Sequence, residues 1–255
     1  MPTLGANVAI RNGDSLDFCW KECVGSLLPV CDQVVLCDQD SDDGTTDAMK
    51  EWVAREPKLK YVNYPFTNPK GDPDWVVNWT NWAREQMDTE WNLQLDCDEV
   101  LHEDCYDLLR SKIADNREIS LRVQRWNFWE SCRTMIPFSK CLAHETIRVA
   151  KTKYWLPADF PHPKARAVMD MEVICLGIHL FHYGFLRHPK AFFKKEKFLQ
   201  TAFTSGYDPQ LDTTEQNKDW MSNIKADWKS LPLEQFHGTH PKIAHEWLRE
   251  RGYEP

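Results

Sequence analysis

No apolar run in the 255 residues approaches the about eighteen that a membrane-spanning helix needs. The opening Met1-Pro2-Thr3-Leu4-Gly5 lacks the basic and apolar regions of a signal peptide, so a cytoplasmic protein is expected. Nor is there a Cys-x-x-Cys pair. The nine cysteines, an odd number set mostly beside apolar neighbours, read as reduced, partly buried thiols and not as a disulfide framework. Cys132, Cys141 and His144 come nearest to a zinc set, and their spacing is irregular. Positive charge is short as well: a formal net charge of −8 argues against a broad non-specific grip on polyphosphate, while leaving room for a local basic groove. No repeat, low-complexity tract or linker divides the chain, and its length fits one domain over 1–255.

What is plentiful is tryptophan, with 12 residues. Most belong in a core; exposed members among Trp75, Trp79, Trp82, Trp126 and Trp129 would offer flat faces to a sugar or base.

The first hundred residues alternate strand and helix. Asn7–Ile10 reads as a strand, followed by a helix capped by Asp14 or Ser15 with Leu16, Cys19, Trp20, Cys23, Leu27 and Leu28 on one face. Val34–Cys37 is a fully buried strand, Thr45 or Thr46 caps a helix through Trp52, and Lys60–Tyr64 is a third strand. A helix over Val76–Met87 leads into the strand at Trp91. This βαβαβαβ order predicts a mainly parallel sheet flanked by helices. Beyond Glu99 the pattern loosens: a helix near Cys105–Ile113, strands near Ile119–Gln124, Thr146–Val149 and Val173–Phe181, a helix over Pro189–Phe203, then polar helical segments.

Trp91-Asn92-Leu93-Gln94-Leu95-Asp96-Cys97-Asp98-Glu99 alternates as a strand and then releases two carboxylates spaced i, i+2. In an open α/β sheet, ligands collect outside the carboxyl ends of the strands. Hard oxygen ligands there suit Mg²⁺ or Mn²⁺, which take one or two carboxylates and complete their shell with substrate phosphates and water. The competing reading is a solvated acidic turn.

Three blocks resemble the family 2 type glycosyltransferases with the GT-A fold: Val8-Ala9-Ile10-Arg11-Asn12, the segment from Val34 through Asp38 to Thr45, and the run from Asn81 through Trp91 to Glu99. The departures are Gly13 for a usual Glu, Gln39 and Asp40 for an Asp and a Gly, and Trp79 and Thr80 for Ala and Arg. The resemblance implies an α/β GT-A fold, with residues 1–101 as the nucleotide-sugar-binding half and 102–255 as the acceptor side. It implies a Mn²⁺ or Mg²⁺ ion at Asp96 and Asp98, and a nucleotide-sugar donor, UDP-linked, held by Ala9, Arg11, Asp38, Asp40, Asn81, Asp96 and Cys97. His179–Phe185 resembles a late His-Tyr segment of the family, which makes His182 a further metal or diphosphate ligand. The family's base position falls near Asp159–Pro163, giving Asp159 or His162 as the base of an inverting transfer; Glu145, Asp170 and Glu172 stay open.

The acceptor is a glycan or other soluble hydroxyl compound on this reading. Phe185, Arg187, His188, Lys190, Phe192, Phe193, Lys194, Lys195, Lys197 and Phe198 interleave basic and aromatic side chains. They read either as an amphipathic helix or as a grip on an anionic polymer, and the second would admit hydroxymethylated bases of viral DNA as acceptor. A nucleotidyltransferase and a non-catalytic sugar-nucleotide binder are the alternatives outside glycosyl transfer.

Overall fold

The computed structural model describes residues 1–66, 75–115, 120–137, 145–154, 172–203 and 233–255. Strand β1 (Leu4–Ile10) lies at the centre of the nucleotide-facing half, with β2 (Gln33–Asp38) on one side and β4 (Trp91–Asp96) on the other, both parallel to it. Parallel β3 (Leu59–Asn63) adds to the outer edge of β2. The connections are α1 (Trp20–Leu27), α2 (Thr45–Val53) and α3 (Trp75–Glu85).

Alternation places the side chains. Leu4, Ala6, Val8 and Ile10 of β1, Val34 and Leu36 of β2, and Trp91, Leu93 and Leu95 of β4 share one face, where they meet Trp20, Cys23, Val24 and Leu27 of α1. On the opposite face Cys37 packs with Trp79 and Ala83 of α3, so β2 is covered twice, as its unbroken apolar run predicts.

The second half extends the sheet with antiparallel pairs. β8 (Glu145–Lys151) pairs with β4, and β6 (Ser120–Trp129) pairs with β8 and with β7 (Ser131–Met135), which takes the two-residue β10 (Glu234–Gln235). The path runs β3-β2-β1-β4-β8-β6-β7-β10, while β9 (Glu172–His182) lies parallel to β6 and antiparallel to the short β5 (Glu99–Leu101). Helix α4 (Tyr106–Asp115) follows β5, α5 (Pro189–Phe203) follows β9, and α6 (His245–Glu250) closes the chain. Among the described residues no helix is long and apolar enough to cross a membrane.

Phe128, Phe181, Tyr183, Phe236, Trp247 and Leu248 form a second core that draws the last twenty residues onto β6 and β9. His240 welds it: the Tyr183 hydroxyl lies 2.8 Å from Nδ1, and Nε2 lies 2.8 Å from the Cys132 carbonyl. A carbonyl only accepts, so Nε2 carries the proton and Nδ1 accepts from Tyr183. Burial pushes the His240 imidazole down to about 4.

One expectation changes. The first helix begins at Trp20, not near Asp14, because residues 11–19 form a tight excursion with Asn12 and Asp17 at φ 51° and 54°. The carboxylates that would cap a helix serve distant partners instead: Asp14 accepts from the Trp20 indole, and Asp17 accepts from the His188 amide and pairs with Arg251. Of the irregular zinc set, Cys132 is buried and its thiol contacts the Glu254 carbonyl; Cys141 and His144 lie outside the described residues. Cys19, Cys23, Cys31, Cys37, Cys97, Cys105 and Cys132 are free and buried.

Candidate active site

The carboxyl ends of β1, β2 and β4 finish in register: Ala9 lies between Cys37 and Asp96, and Ile10 beside Asp38. Chain order reverses at β1, which places this edge at a topological switch point, where such sheets bind ligands. Arg11 leaves β1 here and donates to the carbonyls of Gln39 and Asp40, with its guanidinium 3.7 Å from the centre of the Phe66 ring.

Asp38 is held within its own loop. It is fully buried, and its carboxylate accepts from Ser41 (N and Oγ), Thr46 Oγ1 and Tyr61 OH. It therefore shapes the loop. Burial and the Asp38 charge push the Tyr61 phenol up to about 12, so it stays a donor. Asp40, on that loop at φ 47°, accepts from the Phe66 amide at 2.7 Å and Asn63 Nδ2 at 2.8 Å, which hold its carboxyl below the usual range. Asn81 sits on α3, where its Oδ1 accepts from Arg84.

The turn after β4 separates its three acids. Glu99 is fully buried; its Oε1 takes Arg148 Nη2 at 2.5 Å and Arg125 Nη1 at 3.0 Å, and its Oε2 accepts from the Asp96 amide at 3.0 Å. It is the clamp of the turn. Asp96 is half-exposed and accepts from Arg148 Nη2 at 2.8 Å through Oδ2. Burial opposes its charge, but Arg148 outweighs that and holds the carboxyl below its ordinary value.

Asp98 is buried against Arg187 Nη2 at 2.8 Å and Lys195 Nζ at 3.4 Å, both on Oδ2, while Oδ1 lies 3.6 Å from His182 Nε2, beyond hydrogen-bond range. Desolvation again opposes ionisation, and the Lys195 and Arg187 charges override it, leaving Asp98 well below the carboxylate range. His182 is driven toward the neutral form by burial, against the pull of Asp98. Its Nδ1 is buried and has no hydrogen-bond partner among the described residues. Gly184 permits this approach: a Cβ there would stand 2.5 Å from His182 Nε2 and 2.8 Å from Asp98 Oδ2. Cys97, between the two acids, is buried with its thiol pushed well up by desolvation, which makes it a packing residue.

The implied Mn²⁺ or Mg²⁺ fits this corner. Asp98 Oδ1 and a neutral imidazole nitrogen lie 3.6 Å apart, the neighbouring Asp96 side chain is half-exposed, and the other Asp98 oxygen already takes a lysine ammonium. Among the described residues no three His, Cys, Asp or Glu side chains converge as a full cage, so substrate oxygens and water would supply the rest of the shell, as Mg²⁺-type ions prefer.

Of the three metal ligands expected from sequence, the structure brings Asp98 and His182 within 3.6 Å, with Asp96 two residues before Asp98 at the end of β4. Sequence reasoning missed Arg148, Arg125 and the inward turn of Arg187 and Lys195, for which composition carries no signal. Asp159, His162 and Asp170 lie outside the described residues, and Glu172 begins β9.

No protein-family model matches the sequence, and no curated protein matches it. Solved structures do. Residues 1–349 of S. aureus TarS, a GT-A-type glycosyltransferase, superpose with a TM-score of 0.51 at 14% identity, covering 90% of this chain and 81% of that one. The chain has a GT-A-type fold. The same TarS fragment in complex with UDP-GlcNAc gives a TM-score of 0.51 at 13% identity over 90% of this chain and 82% of that one. Its complex with UDP gives 0.51 at 14% identity over 85% and 68%.

Proposed function

We propose that this protein is a divalent-metal-dependent glycosyltransferase that moves a sugar from a UDP-linked donor to a hydroxyl acceptor, with inversion. The observation that carries the reading is the approach of Asp98 Oδ1 to His182 Nε2 at 3.6 Å just past the carboxyl end of β4, where Asp96 ends the strand beside the β1 switch point. The GT-A-type fold shared with a UDP-GlcNAc-bound TarS structure supports the donor class.

The leaving diphosphate gains negative charge as the glycosidic bond breaks, so the site must present positive charge where that charge develops. Asp98 and His182 would hold the Mn²⁺ or Mg²⁺, with Asp96 alongside; when bound, the ion neutralises the departing diphosphate. Arg148 and Arg125, fixed on Glu99, keep Asp96 aimed outward. Arg11, held by two loop carbonyls and stacked on Phe66, borders the nucleoside side. On sequence position, Asp159 or His162 removes the acceptor proton on the face opposite the leaving group. The acceptor is a glycan or another soluble hydroxyl compound.

Thermal unfolding with UDP, UDP-GlcNAc or other nucleoside diphosphates, with and without Mn²⁺, tests the reading. A ligand selective for the folded state raises the melting temperature, by about 2.7 kcal/mol of stabilisation at a hundredfold excess over Kd. Mn²⁺-promoted UDP binding with slow release of free sugar from a UDP-sugar supports it. Absence of any nucleotide-diphosphate effect with Mn²⁺ present overturns it.

A further inference from the structure

Two cations neutralise Asp98, and they differ in freedom. Arg187 is almost wholly buried, and each of its three nitrogens donates: Nε to the Gly184 carbonyl at 2.8 Å, Nη1 to the Leu16 carbonyl at 2.9 Å, Nη2 to Asp98 at 2.8 Å. It also lies 4.1 Å over the Phe18 ring. It is a fixed part of the wall. Lys195 reaches the same oxygen from α5 at 3.4 Å, its side chain 22% exposed, with the Phe18 ring 5.5 Å away. The contact is long, the stem has four carbons and one end meets solvent, so the ammonium can swing without breaking the fold.

A divalent ion arriving at Asp98 repels Lys195, and a diphosphate arriving with it attracts the displaced ammonium. We propose that Lys195 is the diphosphate-binding lysine of the donor site, and that its transfer from Asp98 to the diphosphate makes metal and donor bind cooperatively. This rests on the nucleotide-sugar reading above and adds to it a residue and an order of events. In the empty site Lys195 guards Asp98 against loose cations. With donor present it joins the charge that stabilises the leaving group. Coupling of this kind is reciprocal: whatever factor Mn²⁺ adds to diphosphate affinity, the diphosphate adds to Mn²⁺ affinity.

The experiment is calorimetric titration of the full chain with Mn²⁺ alone, UDP and UMP, each nucleotide with and without Mn²⁺, for wild type, Lys195→Met and Lys195→Arg. Lys195→Met should weaken UDP by about tenfold, change UMP by less than about twofold, and tighten Mn²⁺ alone by several-fold, since the competing ammonium is gone. Lys195→Arg should retain most of the UDP affinity. Should Lys195→Met not fold, Lys195→Gln is read by the same criteria. A wild type that binds UDP with Mn²⁺, together with a neutral variant that binds UDP and Mn²⁺ equally well, overturns the assignment of Lys195 while leaving the donor site intact. A wild type that binds no UDP at all overturns both.

Discussion

Asp98 and Arg187 meet at 2.8 Å with both side chains almost sealed from water, 89 residues apart in the chain. The pair ties the acidic turn after β4 to the segment after β9, and through the Leu16 carbonyl to the excursion between β1 and α1. Three parts of the site therefore share one charge.

Removing Asp98 leaves the Arg187 guanidinium buried without its carboxylate, and removing Arg187 leaves Asp98 buried with only the longer contact to Lys195. Asp98→Ala and Arg187→Met should each lower the free energy of unfolding by about 3–5 kcal/mol, and the double variant should recover part of the loss. Urea denaturation measures it; strictly additive losses would deny the coupling. Because the folded carboxyl sits below its unfolded value of about 3.9, its contribution is present above that pH and disappears as acid titrates it.

Asp96 behaves differently because it is half-exposed. Asp96→Asn should change stability by no more than about 1 kcal/mol and yet lower turnover about a hundredfold or more. Urea denaturation and release of UDP from a UDP-sugar measure the two. Full turnover in this variant would remove the residue from the donor site.

Asp38 reverses that split. With Ser41, Thr46 and Tyr61 donating to it in a sealed setting, Asp38→Ala should cost on the order of 3 kcal/mol by leaving buried donors unpaired. Any loss of nucleotide affinity should appear only alongside that destabilisation. A stable variant that no longer binds nucleotide would show the carboxylate to be a ligand after all.

His240 gives the fold an acid sensitivity of its own. It is neutral in the folded state, and an unfolded histidine titrates near 6.5, so the unfolded chain binds more protons between there and about 4. Stability should fall as pH drops through that window, by roughly 1.4 kcal/mol per unit at full slope. His240→Gln should flatten this slope in denaturation curves taken from pH 7.5 to 5. An unchanged slope would assign it to other groups.

Much of the frame was legible. The strand ending at Asp96 and the buried run at Val34 announce themselves because side-chain period and burial coincide there. The start of α1 was not, since Asp14 and Asp17 look like caps until the Trp20 indole and Arg251 claim them. β5, with three residues, and β10, with two, are too short for any period to show. The partners of Asp38 were hidden for a similar reason: they stand up to 23 residues downstream, and only the fold brings Tyr61 to it. The basic and aromatic run after His182 read first as a helix face and second as a surface grip. Phe192 is in fact buried, while Lys194 reaches Ser15 and Lys195 reaches Asp98, so part of that charge looks inward.

Beneath the acidic turn lie sulfur atoms: Cys23 Sγ is 3.5 Å from the Asp96 carbonyl, and Cys19 Sγ 4.0 Å from that of Cys97. All are buried, and desolvation keeps them protonated and unreactive. The chain thus carries an internal clock for its own opening. A colourless aromatic disulfide reagent added to the native protein should react with these positions only as fast as the surrounding layers part, and the colour released would time that parting without any attached dye.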